Sequence, residues 1–178
     1  MELAAIIDKL REALPEAVLA RREGFGDTTL TIHPPAIREV CRWLKQNPEA
    51  PFNLFLDVCG QDRFPREPRF RVIYHLYAFP ANLRLRLEVE VGSDTVEIDS
   101  VVPVWKGAEW FEREVFDMYG VRFAGHPDLR RLLSPDGYGD HPMRKDFPLE
   151  GKFRIESPDD LHPWETGRPG GGNSGGRK

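Results

Sequence analysis

Leu83-Arg84-Leu85-Arg86-Leu87-Glu88-Val89-Glu90-Val91 alternates an apolar residue with a charged one along its whole length. Successive side chains of a strand point to opposite faces, so this segment puts Leu and Val on a dry face and Arg and Glu on a wet one. A strand wet on one side belongs to an antiparallel sheet with one solvated face. Just upstream, Phe70, Val72, Tyr74 and Leu76 keep the same period, and Phe79-Pro80-Ala81-Asn82 between the two runs reads as a hairpin connection. Thr28, Leu30 and Ile32 predict a further strand, as do Phe52, Leu54, Leu56 and Val58, while Val96 and Ile98 suggest a short edge strand.

The period changes to helical at three places. Leu3, Ile6, Ile7, Leu10 and Leu14 form one amphipathic stripe, and Ile37, Val40, Cys41 and Leu44 form another after the start signal Pro34-Pro35. From Pro103 onward Trp105, Ala108, Phe111 or Glu112, Val115 and Met118 line one side of a third helix, which should end near Gly120. Sheet and helices together predict an α+β, two-layer domain in which helices cover a mainly antiparallel sheet.

An extended, Pro-rich C-terminal tail is expected to follow. Prolines 127, 135, 142, 148, 158, 163 and 169 exclude most regular structure. Yet Leu129, Leu132, Leu133, Tyr138, Phe147, Leu149, Phe153 and Trp164 make the segment too apolar for a solvated linker. A segment of that kind is expected to lie along an outside surface. The resulting division is a domain at residues 1–121, a partner-wrapping tail at 122–168 and a disordered Gly-rich end at 169–178.

Composition bounds the function. The 178 residues, enough to bury roughly 70% of the unfolded surface, are 40% hydrophobic and 30% charged, with a formal net charge of -4. The pI near 5.8 does not suit a nucleic-acid binder. Cys41 and Cys59 form no C-x-x-C pair and read as buried thiols of a reducing compartment. No apolar run approaches the ~18 residues of a membrane span, and Met1-Glu2-Leu3-Ala4 lacks a basic leader. A cytoplasmic chain, or one docked on a membrane complex from the cytoplasmic side, is expected.

Glu112, Glu114 and Asp117 beside Arg113 could serve as paired carboxylates for acid–base chemistry. The spacing of Glu109, Arg113 and Asp117 favours pairing along the helix instead. Histidines 33, 75, 126, 141 and 162 show no metal-site spacing. His126 and His141 each precede proline, with Arg130 and Arg131 following the first and Arg144 and Lys145 the second, a pattern of donors suited to a carboxylate-rich surface. There is no Gly-rich phosphate loop, and Trp43, Trp105, Trp110 and Trp164 are assigned to core or interface.

Two blocks carry a family resemblance. Glu112-Arg113-Glu114, Asp117-Met118-Tyr119-Gly120, His126-Pro127, Arg130-Arg131 and Leu132-Leu133 form the first, and His141-Pro142-Met143-Arg144-Lys145-Asp146-Phe147-Pro148-Leu149-Glu150-Gly151 the second. In this order they resemble the C-subunit of the proton-translocating NADH:quinone oxidoreductase (respiratory complex I, NDH-1), over about residues 20–155. Met143 stands where leucine is more usual, and Gly107 loosens the start of the third helix. The resemblance implies a peripheral-arm subunit that carries neither FMN nor iron–sulfur cluster, both of which sit on partner subunits. It implies packing against the large D-subunit of the peripheral arm, at the cytoplasmic side of the cell membrane, in a complex that passes electrons from NADH to quinone and translocates protons. Glu112, Arg113, Glu114, Asp117, Gly120, His126, Arg130, Arg131, His141, Arg144, Lys145 and Asp146 are then the expected interface or structural residues, with no catalytic or metal-binding residue. A homologous subunit of a membrane-bound hydrogenase or another quinone-linked complex remains an alternative. So does a free-standing enzyme using Glu112 or Glu114 with His126 or His141.

Overall fold

The computed structural model describes residues 2–94, 96–135 and 138–149. Its elements follow as α1 (Leu3–Ala13), β1 (Val18–Gly24), β2 (Asp27–Ile32), a 3-10 turn (Pro34–Ala36) leading into α2 (Ile37–Gln46), β3 (Leu54–Asp62), β4 (Phe70–Ala78), β5 (Leu83–Val91), β6 (Glu97–Asp99), α3 (Ala108–Tyr119) and β7 (Arg122–Ala124). The main sheet has the order β1-β2-β5-β4-β3. Its pairs are antiparallel except β2 with β5, so the α+β reading holds with a mixed, mostly antiparallel sheet.

The alternation in β5 does what its pattern dictates. Leu85, Leu87, Val89 and Val91 are buried, and opposite them lie Leu76, Tyr74, Val72 and Phe70 of β4. Ile6, Ile7 and Leu10 of α1, with Ile37, Val40, Cys41 and Leu44 of α2, belong to the same core. Each such side chain contributes about 1.5–3 kcal/mol relative to exposure. On the other face Glu88 receives Arg22 at 2.9 Å and Arg71 at 3.3 Å, and Glu90 receives Arg71 at 2.8 Å and also Arg63.

Three local readings need correction. Strand β1, Val18-Leu19-Ala20-Arg21-Arg22-Glu23-Gly24, was not expected, because an edge strand that buries little needs no apolar period. In β3 a bulge between Phe55 and Asp57 breaks the period, so Leu54 and Leu56 are exposed while Val58 is buried. Strand β6 does not join the main sheet but pairs in parallel with β7. In addition, Cys59 is only half-buried and its thiol donates to Asp57 Oδ2 at 2.9 Å.

Helix α3 packs on β3. Phe55 stacks against Trp105 at 5.3 Å and Phe111 at 6.1 Å, which seats the start of the helix. Near its end the Tyr119 ring lies over Gly60 so closely that a Cβ there would collide with it. The compact unit then continues through Phe147, past the boundary expected after Val121. The tail reading for 150–168 and the Gly-rich end at 169–178 lie outside the described residues. Among the described residues no helix is long and apolar enough to cross a membrane.

Gly60→Ala should destabilise the chain by about 1–3 kcal/mol through overpacking against Tyr119. In a Tyr119→Ala background the same change should cost much less. Denaturant unfolding of the two singles and the double measures the coupling, and purely additive costs would contradict the contact.

Candidate functional site at the end of helix α3

A helix leaves the carbonyls of its last turn without intrahelical partners. In α3 these belong to Phe116, Asp117, Met118 and Tyr119, and each finds a donor. Gly120, in the left-handed region at φ +78°, closes the helix with its amide on Phe116 O at 2.8 Å. The tail supplies the rest. His141 Nδ1 donates to Asp117 O at 2.9 Å, the Met143 amide to Met118 O at 3.1 Å, and Arg144 Nε to Tyr119 O at 2.7 Å. Because a carbonyl only accepts, the His141 proton is on Nδ1. Burial, with Arg144 and Arg131 nearby, lowers its pKa against the pull of Asp117 O, which favours the neutral ring. A Cβ on Gly120 would strike the Arg144 and His141 side chains.

The Asp117 carboxylate binds the tail in the other direction. Its Oδ2 accepts the amides of Leu132, Leu133 and Ser134 at 3.0, 2.7 and 2.8 Å, and its Oδ1 accepts Arg131 at 2.7 Å. Burial pushes the carboxyl pKa up, but the Ser134 and Leu133 amides and Arg131 outweigh it and hold it at about 2. Arg113, 8% exposed, donates to the Arg130 and Arg131 carbonyls at 3.0 and 2.9 Å while its guanidinium covers Trp110 at 5.0 Å. His126 Nε2 donates to Glu109 O at 3.1 Å and its Nδ1 accepts the Asp128 amide at 3.0 Å, so both ring nitrogens are satisfied. Arg130 pairs with Asp128 at 2.7 Å.

A second clasp joins the tail to the β3–β4 turn. Asp62 accepts Arg69 at 2.8 Å and the Lys145 amide at 2.8 Å, and Arg69 also reaches Asp146 at 2.8 Å. Burial raises the Asp62 pKa, and Arg69 with the Lys145 and Phe64 amides brings it to about 2. The guanidinium groups of Arg69 and Arg144 lie 4.9 and 5.0 Å from the Phe70 ring. The side chains of Lys145 and Asp146 are exposed.

Glu112 is different from its neighbours. It is fully buried, accepts Ser100 Oγ at 2.6 Å and the Val101 amide at 2.7 Å, and among the described residues no cation touches it. Burial pushes its pKa up to about 7, although both hydrogen bonds and the more distant Arg38 favour the charged form. Cys41 of α2 and Tyr74 of β4 feel this carboxyl, and their own pKa values rise, first from burial and then from Glu112. Arg38 completes the support of this linker by donating to Ser100 O at 2.9 Å and Ala124 O at 2.8 Å.

The expected pairing of Arg113 with Glu109 and Asp117 along the helix does not occur. Instead Glu112 turns into the core, Glu114 faces solvent, and Asp117 enters the tail. The donors expected to meet an outside surface, His126, Arg131, His141 and Arg144, direct their described hydrogen bonds to this chain's own backbone and carboxylates. Asp62, Arg69, Ser100 and Arg38 were not singled out from sequence. Asp62 and Arg69 act on residues 77 to 83 positions away, and no local pattern marks such a contact. Among the described residues no group of three or more His, Cys, Asp or Glu could hold a metal.

Two consequences can be measured. The folded pKa of Glu112 lies above its ordinary 4.5, so its contribution is fully present below that value and is lost as pH rises through about 7. Wild-type melting temperature should therefore fall between about pH 5 and about pH 8, and Glu112→Gln should flatten that decline and be the more stable protein at the alkaline end. The opposite sign applies to Asp117, whose stabilisation is present above 3.8 and fades as pH drops toward about 2. Asp117→Asn should cost about 1–3 kcal/mol at neutral pH and speed amide exchange at Leu132, Leu133 and Ser134. Unchanged exchange there would contradict the clasp.

Comparison with known proteins places this arrangement. The family described as respiratory-chain NADH dehydrogenase, 30 Kd subunit, matches residues 30–153. The C-subunit of NADH-quinone oxidoreductase from Azorhizobium caulinodans is 44% identical over 149 residues, covering 84% of this chain and 70% of that protein. Its counterpart of the same name from Roseiflexus sp. is 42% identical over 149 residues, covering 84% and 86%. Among solved structures, the trypsin-resistant fragment (1–134) of Nqo5 superposes with a TM-score of 0.58 at 26% identity, over 72% of this chain and 100% of the fragment. A chain of the membrane-bound sulfane sulfur reductase, an archaeal respiratory membrane complex, shares the fold with a TM-score of 0.67 at 24% identity, over 89% and 98%. The matched region contains both motif blocks and the cap they build, and the chain belongs to the family of the respiratory-chain NADH dehydrogenase 30 Kd subunit.

Proposed function

We propose that this chain is a non-catalytic structural subunit of the peripheral arm of NADH:quinone oxidoreductase, the complex that carries electrons from NADH through FMN and iron–sulfur centres to quinone and couples this to proton translocation. The observation that supports it is the use to which the family's two motif blocks are put. From these blocks Asp117, Arg113, Arg131, His141, Arg144 and Asp146, with His126, fasten described residues between 126 and 146 onto α3, its end, and the Asp62–Arg69 pair. That is the work of a scaffold that presents a rigid shape. Around the fastened region Trp110, Leu133 and Met143 are 58%, 65% and 55% exposed. Large apolar side chains left outside a charge-sealed clasp suit docking onto another protein. The partner we assign is the large D-subunit of the peripheral arm, the cofactors belong to partner subunits, and the assembly holds this chain at the cytoplasmic side of the membrane.

A second reading, a corresponding subunit of a hydrogenase-type or other quinone-linked respiratory complex, draws support from the fold shared with the sulfane sulfur reductase chain. The partners recovered with the chain separate the two readings. A tagged full-length chain purified from gently solubilised native membranes should bring down the large D-subunit with the flavin-bearing NADH module, and hydrogenase-type partners would favour the second reading.

Truncation after Phe147 should leave a chain that melts cooperatively and shows an unchanged far-UV spectrum, since the compact unit is retained, yet recovers far less of the large D-subunit in the same pull-down. Full recovery would remove the segment beyond 147 from the interface. The isolated full-length chain should show no NADH:quinone reductase activity; turnover that is lost in Glu114→Gln would overturn the scaffold reading.

A further inference from the structure

The buried Glu112 carboxyl is held by one short stretch of chain. Its oxygens accept Ser100 Oγ at 2.6 Å and the Val101 amide at 2.7 Å, and the Val102 amide returns to Ser100 Oγ at 3.2 Å. A buried charge needs a partner of opposite sign, and without one the group stays neutral. The groups that face Glu112 supply no such partner in contact with it. From α2 come the Cys41 thiol and, farther off, the Arg38 guanidinium; from β4 comes the Tyr74 hydroxyl, buried and without a hydrogen-bond partner among the described residues. Cys41 and Tyr74 are kept neutral by burial and by Glu112 itself. Asp99, just before Ser100, adds a negative charge and takes a share of Arg38 at 3.3 Å. Arg113 is turned to the Arg130 and Arg131 carbonyls, and Lys45 of α2 donates to Val104 O.

The same stretch anchors β7. Arg38 donates from Nε to Ser100 O at 2.9 Å and from Nη2 to Ala124 O at 2.8 Å, and the Ser100 amide donates to Ala124 O at 2.9 Å. Gly125, at φ +76°, leaves room for this, since a Cβ there would lie 3.1 Å from Arg38 Nη2. Ser100 thus faces two ways, its hydroxyl toward the acid and its backbone toward Arg38 and Ala124. Strands β6 and β7 are three residues each and pair with one another apart from the main sheet, so this region can part from α3 while the five-stranded sheet stays intact. Beyond Gly125 comes His126, where the clasp begins on Glu109 O.

We infer that Glu112 is a proton-operated latch for residues 99–102: the neutral acid keeps them closed on α3, and loss of its proton to solvent lets them open locally, hydrating the carboxylate and freeing Ser100 and Arg38 from Ala124. The root of the clasp is then tight in mild acid and loosens as pH rises toward neutrality. In the open state the carboxyl returns to its ordinary 4.5, whereas the closed state holds the proton up to about 7. The opening equilibrium therefore grows about tenfold per pH unit between those values and is level above them.

Amide hydrogen exchange of the full-length chain, corrected for hydroxide catalysis of the exchange step, reads the latch. Protection at Ser100 and Val101 should fall roughly tenfold per pH unit from about pH 5 to about pH 7 and then level off. It should also lie below that of Tyr74 and Leu87, in central strands of the main sheet, and barely change in low urea, as a local opening requires. The Glu112 side-chain carboxyl carbon, followed by NMR, should titrate where the fall levels off. In Glu112→Gln the slope should vanish, with protection at about pH 8 close to the wild-type value at about pH 5. Arg38→Lys keeps the charge and loses the fork across two carbonyls, so it should lower protection at both amides at every pH and retain the slope; this arm holds even where Glu112→Gln does not fold. Protection without a pH slope in wild type, a Glu112 titration near 4.5, or exchange at Ser100 and Val101 that matches Tyr74 and Leu87 in both pH and urea would overturn the latch, each leaving the proposed function standing.

Discussion

The carbonyls at the end of α3 impose the constraint that organises the C-terminal third of the described chain. They lie at the edge of the core, beside Tyr119 packed over Gly60, where unpartnered main-chain groups are costly. Gly120 can serve only one of them without a tail. His141, Met143 and Arg144 serve the others, and the positive charges of Arg131 and Arg144 sit where the helix dipole is negative. The two motif blocks are the two halves of one cap, which explains physically why residues so far apart in the chain belong together.

The same need produces opposite electrostatics within one helix. Asp117 is surrounded by amides and a guanidinium and stays ionised into strong acid, whereas Glu112, five positions earlier, has two neutral donors and a large desolvation cost. Neither behaviour follows from residue type. A short run of acidic residues therefore contains a charged fastener, a solvated side chain and a carboxyl that can hold its proton near neutrality, and these roles are assigned by what the rest of the fold brings to each.

Much of the architecture was legible because burial there is one-sided. Strands β4 and β5 and all three helices bury one face, so period and capping residues expose them. Strand β1 buries little and β3 is interrupted by its bulge, so period fails at both. Short parallel pairing between β6 and β7 depends on Arg38 and Glu112 holding the linker from the side, contacts that no local window contains. For the site, the sequence reading took His126, His141, Arg131 and Arg144 as donors suited to a carboxylate-rich surface, and the hydrogen bonds described for them run to this chain's own backbone and carboxylates. Only the three-dimensional path of the tail brings those acceptors to them. Asp62 and Arg69 could not be singled out, because an Asp and an Arg flanking a turn look like surface residues until Lys145 and Asp146 arrive.

Parallel pairing and the clasp also set an order of events. A chain made from its N-terminus can close β4 on β5 and pack α1 and α2 while it is still being synthesised, since those contacts are complete by Val91. Helix α3 cannot be finished then. Its terminal carbonyls and Asp117 wait for residues that are translated later, up to Asp146. The surface that the family motif defines is thus the last part of the compact unit to acquire its shape, which withholds the competent form from would-be neighbours until Asp146 has been added.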